Sequence, residues 1–292
     1  MTFSSLDDLY SEITSGKFQR ADINKITGGT AYTAGRWYDM SNLNGTPVSN
    51  AFAGTALNWV SCNESAGNGT QIFGISHGGN VSPDTKHVLN VSALSAVATA
   101  VPGQLMLVDL QGYWPGISNN TTSSQTLVGT PTLRYTNGAG CRLFAVQTAV
   151  AGATAQNIAL SYTDQAGNTG NTLPVTTAMT ASAIVGHISH SGVAANNYGP
   201  FLPLANGDTG VQNVASVTMS AANTGTFALC LARPLLTIPI TTAGVAAERD
   251  LVNQLPSLPR VMDGACLVWL YFAGAATAAS TNFYMSTEFA WG

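Results

Sequence analysis

The chain has 292 residues, of which 45% are hydrophobic and only 8% are charged, and its formal net charge at pH 7 is −4. An ordinary soluble domain carries about 25% charged residues. The composition excludes a disordered chain, which combines high charge with few apolar residues, and a coiled coil, which is rich in Glu, Lys and Arg. Nucleic-acid binding needs clustered Lys and Arg, whereas this chain has ten basic residues and no lysine after Lys86. We therefore predict no nucleic-acid partner.

The sequence indicates neither a membrane span nor a signal peptide. The best apolar stretch, residues 265–279, is interrupted by Gly274 and Thr277 and is shorter than the roughly 20 residues that a spanning helix needs. The first residues, MTFSSLDD, lack a basic segment followed by an apolar one. The four cysteines form no CxxC pair, so we predict reduced, buried thiols at Cys62, Cys141, Cys230 and Cys266.

The first predicted element is a short amphipathic helix over residues 5–15. Ser5-Leu-Asp-Asp8 is typical of a capping box, Gly16 is a stop signal, and apolar residues recur at helical spacing at Leu6, Leu9, Tyr10 and Ile13. A helix ahead of the main body often docks on a neighbour. We therefore predict that residues 1–38 form a helix and an extended arm that reaches another subunit. The alternative is that this segment packs on its own domain.

From residue 30 onward the sequence is typical of β-strands. Short runs of Val, Ile, Leu, Thr and aromatic residues alternate with clusters of Gly, Asn, Pro and Ser. Turns are predicted at Asn44-Gly45, Asn137-Gly138, Asn206-Gly207 and Asp263-Gly264. Many short strands at this spacing are typical of β-sandwiches and jelly rolls. One later helix is predicted over residues 245–255, where apolar residues recur on one face.

An internal duplication organises the β region. Ile75-Ser-His-Gly-Gly79 reappears as Ile188-Ser-His-Ser-Gly192, and the segment ending at Cys141 reappears as one ending at Cys266. Five such matches keep their order, and their separation drifts slowly, as loop insertions would make it. Each copy has roughly 125–135 residues, the usual size of a domain. We predict a mainly β protein with two tandem β-sandwich or jelly-roll-like domains, at residues 39–165 and 166–292.

Side chains that could carry catalysis are scarce. Strand residues three apart face opposite sides of a sheet, so His187 and His190 are not expected to chelate one metal, and a recurring turn is the simpler interpretation. A glycoside hydrolase needs two carboxylates flanking a cleft, whereas residues 143–232 hold only Asp164 and Asp208. Neither a G-x-S-x-G elbow nor a P-loop occurs. We predict no catalytic residues, no metal and no cofactor.

Three acidic residues are predicted to be structural. Asp39 and Asp164 occupy nearly duplicate positions, so each is expected to serve the same turn or strand end in its own copy. Asp109 interrupts an apolar strand. It is therefore expected to pair with Arg134 or Arg142, either at the foot of a sheet or at an interface.

Two aromatic segments are candidate contact sites. Arg36-Trp-Tyr38 and Gly112-Tyr-Trp-Pro-Gly116 have the composition of exposed loops. Because Trp and Tyr dominate interface energetics, we predict that these segments anchor an interface. The alternative is sugar recognition by exposed rings. The predicted interface residues are Leu6, Leu9, Tyr10, Ile13, Arg36, Trp37, Tyr38, Tyr113 and Trp114.

The neutral composition, the capped helix followed by the extended stretch at residues 28–38, and the duplicated β-domains resemble virion proteins of tailed bacteriophages. Within that group the chain looks most like a head decoration (cement) or minor capsid protein. The resemblance implies a non-enzymatic protein that binds a capsid or another virion protein as a homo-oligomer, with a trimer favoured, in a virion assembled in the host cytoplasm. The low charge agrees with this expectation, because neutral surface is buried without desolvating ions.

Two other classes stay open. The chain could be a phage tail, baseplate or fibre protein with glycan-binding loops, or a non-viral carbohydrate-binding module, surface-layer module or hydrolase. Glycan binding requires the rings of the two aromatic segments around an exposed groove. A hydrolase requires two carboxylates within about 10 Å in a pocket. For the decoration protein, deletion of residues 1–38 is expected to leave a folded chain that no longer assembles.

Overall fold

The computed structural model describes residues 3–64, 73–192, 199–254 and 258–292. It confirms a mainly β chain with a short N-terminal helix. The elements in chain order are α1 (Leu6–Thr14), β1 (Phe18–Ile26), β2 (Arg36–Asp39), β3 (Asn44–Thr46), β4 (Val60–Ser61), β5 (Lys86–Ser95), β6 (Gly103–Ser118), β7 (Gln125–Thr126), β8 (Arg142–Ala149), β9 (Gln156–Asp164), β10 (Asn171–Thr172), β11 (Thr177–Met179), β12 (Val211–Met219), β13 (Thr226–Ile240), β14 (Ala247–Asp250), α2 (Leu251–Gln254), β15 (Arg260–Val261), β16 (Leu267–Ala273) and β17 (Asn282–Trp291).

These strands form three antiparallel sheets. The central sheet has the order β2-β16-β6-β13-β8, with β4 paired to β6. Outer sheet 1 has the order β14-β5-β17-β1-β3, with β15 paired to β5. Outer sheet 2 has the order β10-β9-β12-β7, with β11 paired to β9.

Both outer sheets pack on the same face of the central sheet, one at each end. Strand β6 is 16 residues long and runs beneath both outer sheets. Leu105 and Leu107 join the core beneath outer sheet 1, whereas Trp114 and Ile117 join the core beneath outer sheet 2. Val108, which lies next to Leu107 in the chain, points into a third core on the opposite face. The chain therefore contains two β-sandwiches that share one sheet.

Strands of the two sequence copies are interleaved. The predicted duplication aligns β5 with β12, β6 with β13, β8 with β16, and β9 with β17. Each pairing among these eight strands joins one copy to the other: β5 pairs with β17, β12 with β9, β6 with β13 and β16, and β13 with β8. Exchanging the copies leaves this pattern unchanged. The eight strands thus have an approximate two-fold symmetry about the β6–β13 pair.

This interleaving corrects the predicted division at residue 165. Residues 39–165 and 166–292 each contribute strands to all three sheets, so neither range is a separate structural unit. The reason is that each strand finds its hydrogen-bonding partner in the other copy. Local composition could mark the end of a copy, but it could not show where that copy's strands would pair.

The helix predicted over residues 245–255 is also wrong over most of its described length. Residues Ala247–Asp250 form β14, which pairs with β5 from Ala247 opposite Ala93 to Asp250 opposite Asn90. Only Leu251–Gln254 is helical, and residue 255 lies outside the described part of the chain. Pairing with the edge of β5 outweighs the local helical periodicity, since tertiary context routinely overrides propensity.

Candidate functional site

Helix α1 presents one buried and one exposed face. The Ser5 hydroxyl accepts a hydrogen bond from the Asp8 amide at 3.1 Å, which confirms the predicted cap. Leu9 is buried in a cluster with Leu89 and Ala290, and Ile13 packs partly buried against that cluster. On the other face, 64% of Leu6 and 70% of Tyr10 are exposed. The four predicted contact residues of the helix therefore fall into two groups. Leu9 and Ile13 pack on the chain itself, whereas Leu6 and Tyr10 are exposed to a partner.

The segment after α1 is not an extended arm. Strand β1 pairs with β17 over nine residue pairs, from Phe18 opposite Ala290 to Ile26 opposite Asn282. Further along, the rings of Tyr32 and Tyr38 stack with centroids 3.8 Å apart, and both residues are buried. Residues 18–38 thus belong to the chain's own sheets and core. The extended arm predicted within residues 1–38 is corrected, because hydrogen bonds and apolar burial hold residues 18–38 in place. The predicted contact of this N-terminal segment with a neighbouring subunit stays a prediction.

The aromatic segments lie in the core rather than in exposed loops. Trp37 is 7% exposed, Tyr38 and Tyr113 are each 1% exposed, and Trp114 is fully buried. They belong to β2 and β6, whose alternating side chains enter the cores on both faces of the central sheet. Side chains covered by their own chain are not presented to a partner or a sugar. Of the predicted contact residues in these two segments, Arg36 alone is half-buried.

The acidic residues examined for catalysis hold turns instead. The Asp39 carboxylate accepts hydrogen bonds from the Ser41 hydroxyl at 2.7 Å and the Asn42 amide at 3.0 Å. Asp164 accepts hydrogen bonds from the Ala166 and Asn168 amides at 2.8 and 2.9 Å. Each residue ends a strand, which confirms the predicted strand-end role. Burial raises the pKa of Asp39 to about 6. The remaining carboxylate, that of Asp208, accepts from the Tyr162 hydroxyl at 2.6 Å.

Histidine and lysine side chains in the interior are bound to backbone carbonyls. His77 and His190 are duplicates, and their Nε2 atoms lie 3.0 Å from the Ala265 carbonyl and 3.1 Å from the Pro200 carbonyl. Lys86 Nζ donates to the carbonyls of His77 and Gly79, each at 2.6 Å.

Within the described ranges, no group of three or more His, Cys, Asp or Glu could hold a metal ion. In the same ranges, no helix is long and apolar enough to cross a membrane.

Asp109 and Arg134 form the buried ion pair of the central sheet. Arg134 donates from Nε to Asp109 Oδ2 at 3.1 Å and from Nη2 to Oδ1 at 2.5 Å, while the Cys266 amide also donates to Oδ1 at 3.0 Å. Asp109 is fully buried. The sequence predicted this aspartate's partner as Arg134 or Arg142, and the structure selects Arg134. The carboxylate is neutralised by that arginine, as a buried charge requires.

A cleft of about 600 Å³ lies where the two sandwiches meet, and we call it the seam cleft. Its lining joins both cores, because Leu235 packs against the core beneath outer sheet 1 and Tyr135 belongs to the core beneath outer sheet 2. Three of the chain's seven arginines line it. The residues that line the seam cleft are Arg134, Tyr135, Thr136, Ala139, Arg233, Pro234, Leu235, Leu258, Pro259, Arg260 and Met262.

Two of these arginines have no acidic partner among the described residues. The Arg233 guanidinium lies over the Tyr135 ring, 4.4 Å from its centroid, and donates to the Ala139 carbonyl at 2.7 Å. Arg260 is exposed and makes no ion pair with a described residue. Asp109 compensates only Arg134, so the seam cleft carries two uncompensated positive charges in a chain whose net charge is −4. Two guanidinium groups without an acidic partner are groups that can bind an anionic side chain.

Sequence reasoning missed the seam cleft. Its arginines are spread over residues 134–260, so no local motif links them. The one available signal was the duplication, because the matched segments that end at Cys141 and Cys266 align Arg134 with Pro259 and Tyr135 with Arg260. Because the copies pack about a two-fold axis, equivalent residues near that axis approach each other.

No family model and no curated protein sequence matches this chain. Among solved structures, it is similar to the infectious bursal disease virus Gt strain structure, with 11% identity, coverage of 94% of this chain and 80% of that chain, and a TM-score of 0.18. It is also similar to the infectious bursal disease virus VP2 subviral particle, with 8% identity, the same coverage and a TM-score of 0.16. TM-scores this low do not establish a common fold.

Proposed function

We propose that this chain is a non-enzymatic structural subunit of a virus particle, in a decoration (cement) or minor capsid role. One observation carries the proposal: charged residues are sparse on the surface of the folded chain. Of its 24 charged residues, six are buried, namely Lys25, Asp39, Glu64, Lys86, Asp109 and Asp164. The remaining 18 are spread over 11620 Å² of accessible surface.

A neutral polar surface favours permanent contact with neighbours. Ions must be desolvated when a charged surface is buried, and this surface has few to desolvate. Low charge density also reduces the electrostatic repulsion between copies at high local concentration. Repeated contacts in a symmetric assembly then turn individually weak interfaces into stable attachment. This combination suits a subunit that is present in many copies.

The role of the buried charges supports a structural rather than an enzymatic protein. Lys25 Nζ donates to the Leu43 and Pro47 carbonyls at 3.2 and 2.5 Å, and Asp39 serves a turn. The rings on which glycan binding depended, including those of Trp37 and Trp114, are covered by the chain itself. The tail or fibre alternative with glycan-binding loops therefore has no exposed ring from either predicted aromatic segment to support it.

The test is the assembly state of the full chain. Light scattering coupled to size exclusion, followed by electron microscopy of the main peak, is expected to show a closed oligomer of the 30.1 kDa chain, with the trimer favoured. In a mixture with particles that lack this chain, the same material is expected to appear on the particle surface. A strictly monomeric chain over micromolar to millimolar concentrations, with no particle binding, would contradict the proposal.

A further inference from the structure

We propose that the exposed face of α1, formed by Leu6, Asp7 and Tyr10, docks into the seam cleft of a second copy of this chain. The inference rests on the proposed function and names the contact through which copies assemble. In this contact, the Leu6 and Tyr10 side chains cover the apolar part of the cleft. The Asp7 carboxylate lies beside Arg260.

The exposed face of α1 combines apolar side chains with a carboxylate that a second copy could bind. Leu6 and Tyr10 are one helical turn apart and therefore adjacent, and each is more than 60% exposed. Asp7 lies between them in sequence, is exposed and makes no ion pair with a described residue. The helix from Leu6 to Thr14 contains three acidic residues and no basic one. Two large apolar side chains and a free carboxylate thus share one exposed surface.

The seam cleft has the complementary chemistry. Arg233 and Arg260 supply positive charge without an acidic partner among the described residues, and Arg260 is the more exposed of the two. Leu235, Leu258 and Met262 supply an apolar lining, and each is only half-buried. An aliphatic and an aromatic side chain entering this lining would gain from leaving water, while the carboxylate would gain a guanidinium partner.

Charge complementarity within one sequence argues for a second copy as the occupant. A small inorganic anion would meet the two arginines but would leave the apolar lining and the exposed Leu6 and Tyr10 uncovered. Each copy carries both halves of the contact. A heterologous contact of this kind can repeat around a closed ring. This is how a chain with few surface charges can still select its register and partner.

The test measures the self-association constant of the full chain by sedimentation equilibrium. The Leu6→Ser/Tyr10→Ser variant is expected to weaken association by about 100-fold, as removal of central anchors does. Arg260→Glu is expected to weaken it by about tenfold or more, because a second carboxylate then faces Asp7. Combining Asp7→Arg with Arg260→Glu is expected to restore association to within about threefold of the natural chain, which a direct pair requires.

Matched controls lie on the outer face of outer sheet 1. Tyr284→Ser removes a tyrosine that is 44% exposed, and Arg20→Glu reverses an arginine whose side chain is 54% exposed. Both are expected to associate like the natural chain. If the charge reversals do not compensate, or if the α1-face variant stays assembled, the docking proposal is overturned while the proposed function stands. A natural chain that is itself monomeric would also overturn the docking proposal, and it would overturn the proposed function only if the chain failed to bind particles as well.

Discussion

Outer sheets 1 and 2 are built on equivalent strand pairs, yet they differ in what surrounds them. The pair β5–β17 in outer sheet 1 corresponds to the pair β12–β9 in outer sheet 2. Only outer sheet 1 receives the N-terminal elements: β1 extends it beyond β17, and α1 covers part of its outer face. The duplicated strands therefore determine how the sheets are built. The added α1 and β1 make outer sheet 1 different from outer sheet 2.

The same asymmetry recurs in single side chains. His77 lies beside Glu64, with 3.3 Å between Nε2 and the carboxylate, whereas its duplicate His190 contacts the Pro200 carbonyl and has no carboxylate beside it among the described residues. Arg134 has Asp109 as a partner, whereas Arg260, which follows the residue aligned with Arg134, has no acidic partner among the described residues. Two-fold packing thus produced equivalent positions, and their polar environments then diverged. This divergence leaves the unpaired guanidinium groups of the seam cleft on which the docking proposal rests.

The largest effect is expected when α1 and β1, which have no counterpart in outer sheet 2, are deleted. Deletion of residues 1–15 removes α1 and is expected to leave a folded chain. Deletion of residues 1–26 also removes β1, which exposes the edge of β17 and takes Ala21 and Ile23 out of the core. We expect this second chain to aggregate or unfold, as measured by circular dichroism and light scattering. If the chain that lacks residues 1–26 melts like the natural chain, β1 is not needed for the stability of outer sheet 1.

This expectation replaces the one drawn from the sequence for residues 1–38. That segment includes β1 and most of β2, together with the buried Tyr32 and Trp37. Its removal would therefore destroy part of two sheets. A loss of assembly in such a chain would say nothing about a subunit contact. The α1-face variants test that contact without this complication.

The next test compares Arg134 with Arg260, two arginines that line the seam cleft. Arg134→Met leaves Asp109 buried without its counter-ion and is expected to lower the free energy of unfolding by about 3–5 kcal/mol. Arg260→Met changes an exposed residue and is expected to cost less than about 0.5 kcal/mol. Urea denaturation measures both, in the Leu6→Ser/Tyr10→Ser background so that assembly does not contribute. If both substitutions lower the free energy of unfolding equally, the ion pair with Asp109 does not distinguish Arg134 from Arg260.

The smallest expected effect concerns acid. Burial lowers the pKa of His187 to about 3 and that of His190 to about 4, both below the usual 6.5. The unfolded chain therefore binds these protons first, and stability is lost as the pH falls below about 6.5 toward 4. Each histidine is expected to cost about 2 kcal/mol by pH 5. Asp39 acts in the opposite direction between pH 6 and 4, because its pKa is raised, and it offsets part of this loss.

Variants at the duplicate histidines separate these contributions. His190→Gln is expected to flatten the decline of the urea midpoint between pH 7 and pH 5. His77→Gln is expected to flatten it less, because Glu64 opposes the effect of burial on the pKa of His77. If both variants follow the natural chain at every pH, buried histidines do not govern its acid sensitivity.

Much of the local structure was predictable from the sequence, for identifiable reasons. The α1 cap needs only a serine hydroxyl and an amide three residues later, and both occur within one turn. Asp39 and Asp164 hold turns through amides at most four residues away. The pairing of Asp109 with an arginine followed from the cost of a buried charge, but the choice of Arg134 over Arg142 did not. The seam cleft and the burial of Trp114 could not be predicted in this way, because their neighbours are distant in the sequence.

The sequence by itself determined the β class, the N-terminal helix, the turn aspartates and the repeated order of the strands, since each depends on short-range patterning of apolar and polar residues. Tertiary structure decided which strands pair, that Ala247–Asp250 is a strand, and that the aromatic segments are covered. The physical reason is that the same alternating pattern suits any sheet neighbour. Hydrogen bonds between strands of opposite copies then fix which faces are buried and where unpaired charge remains.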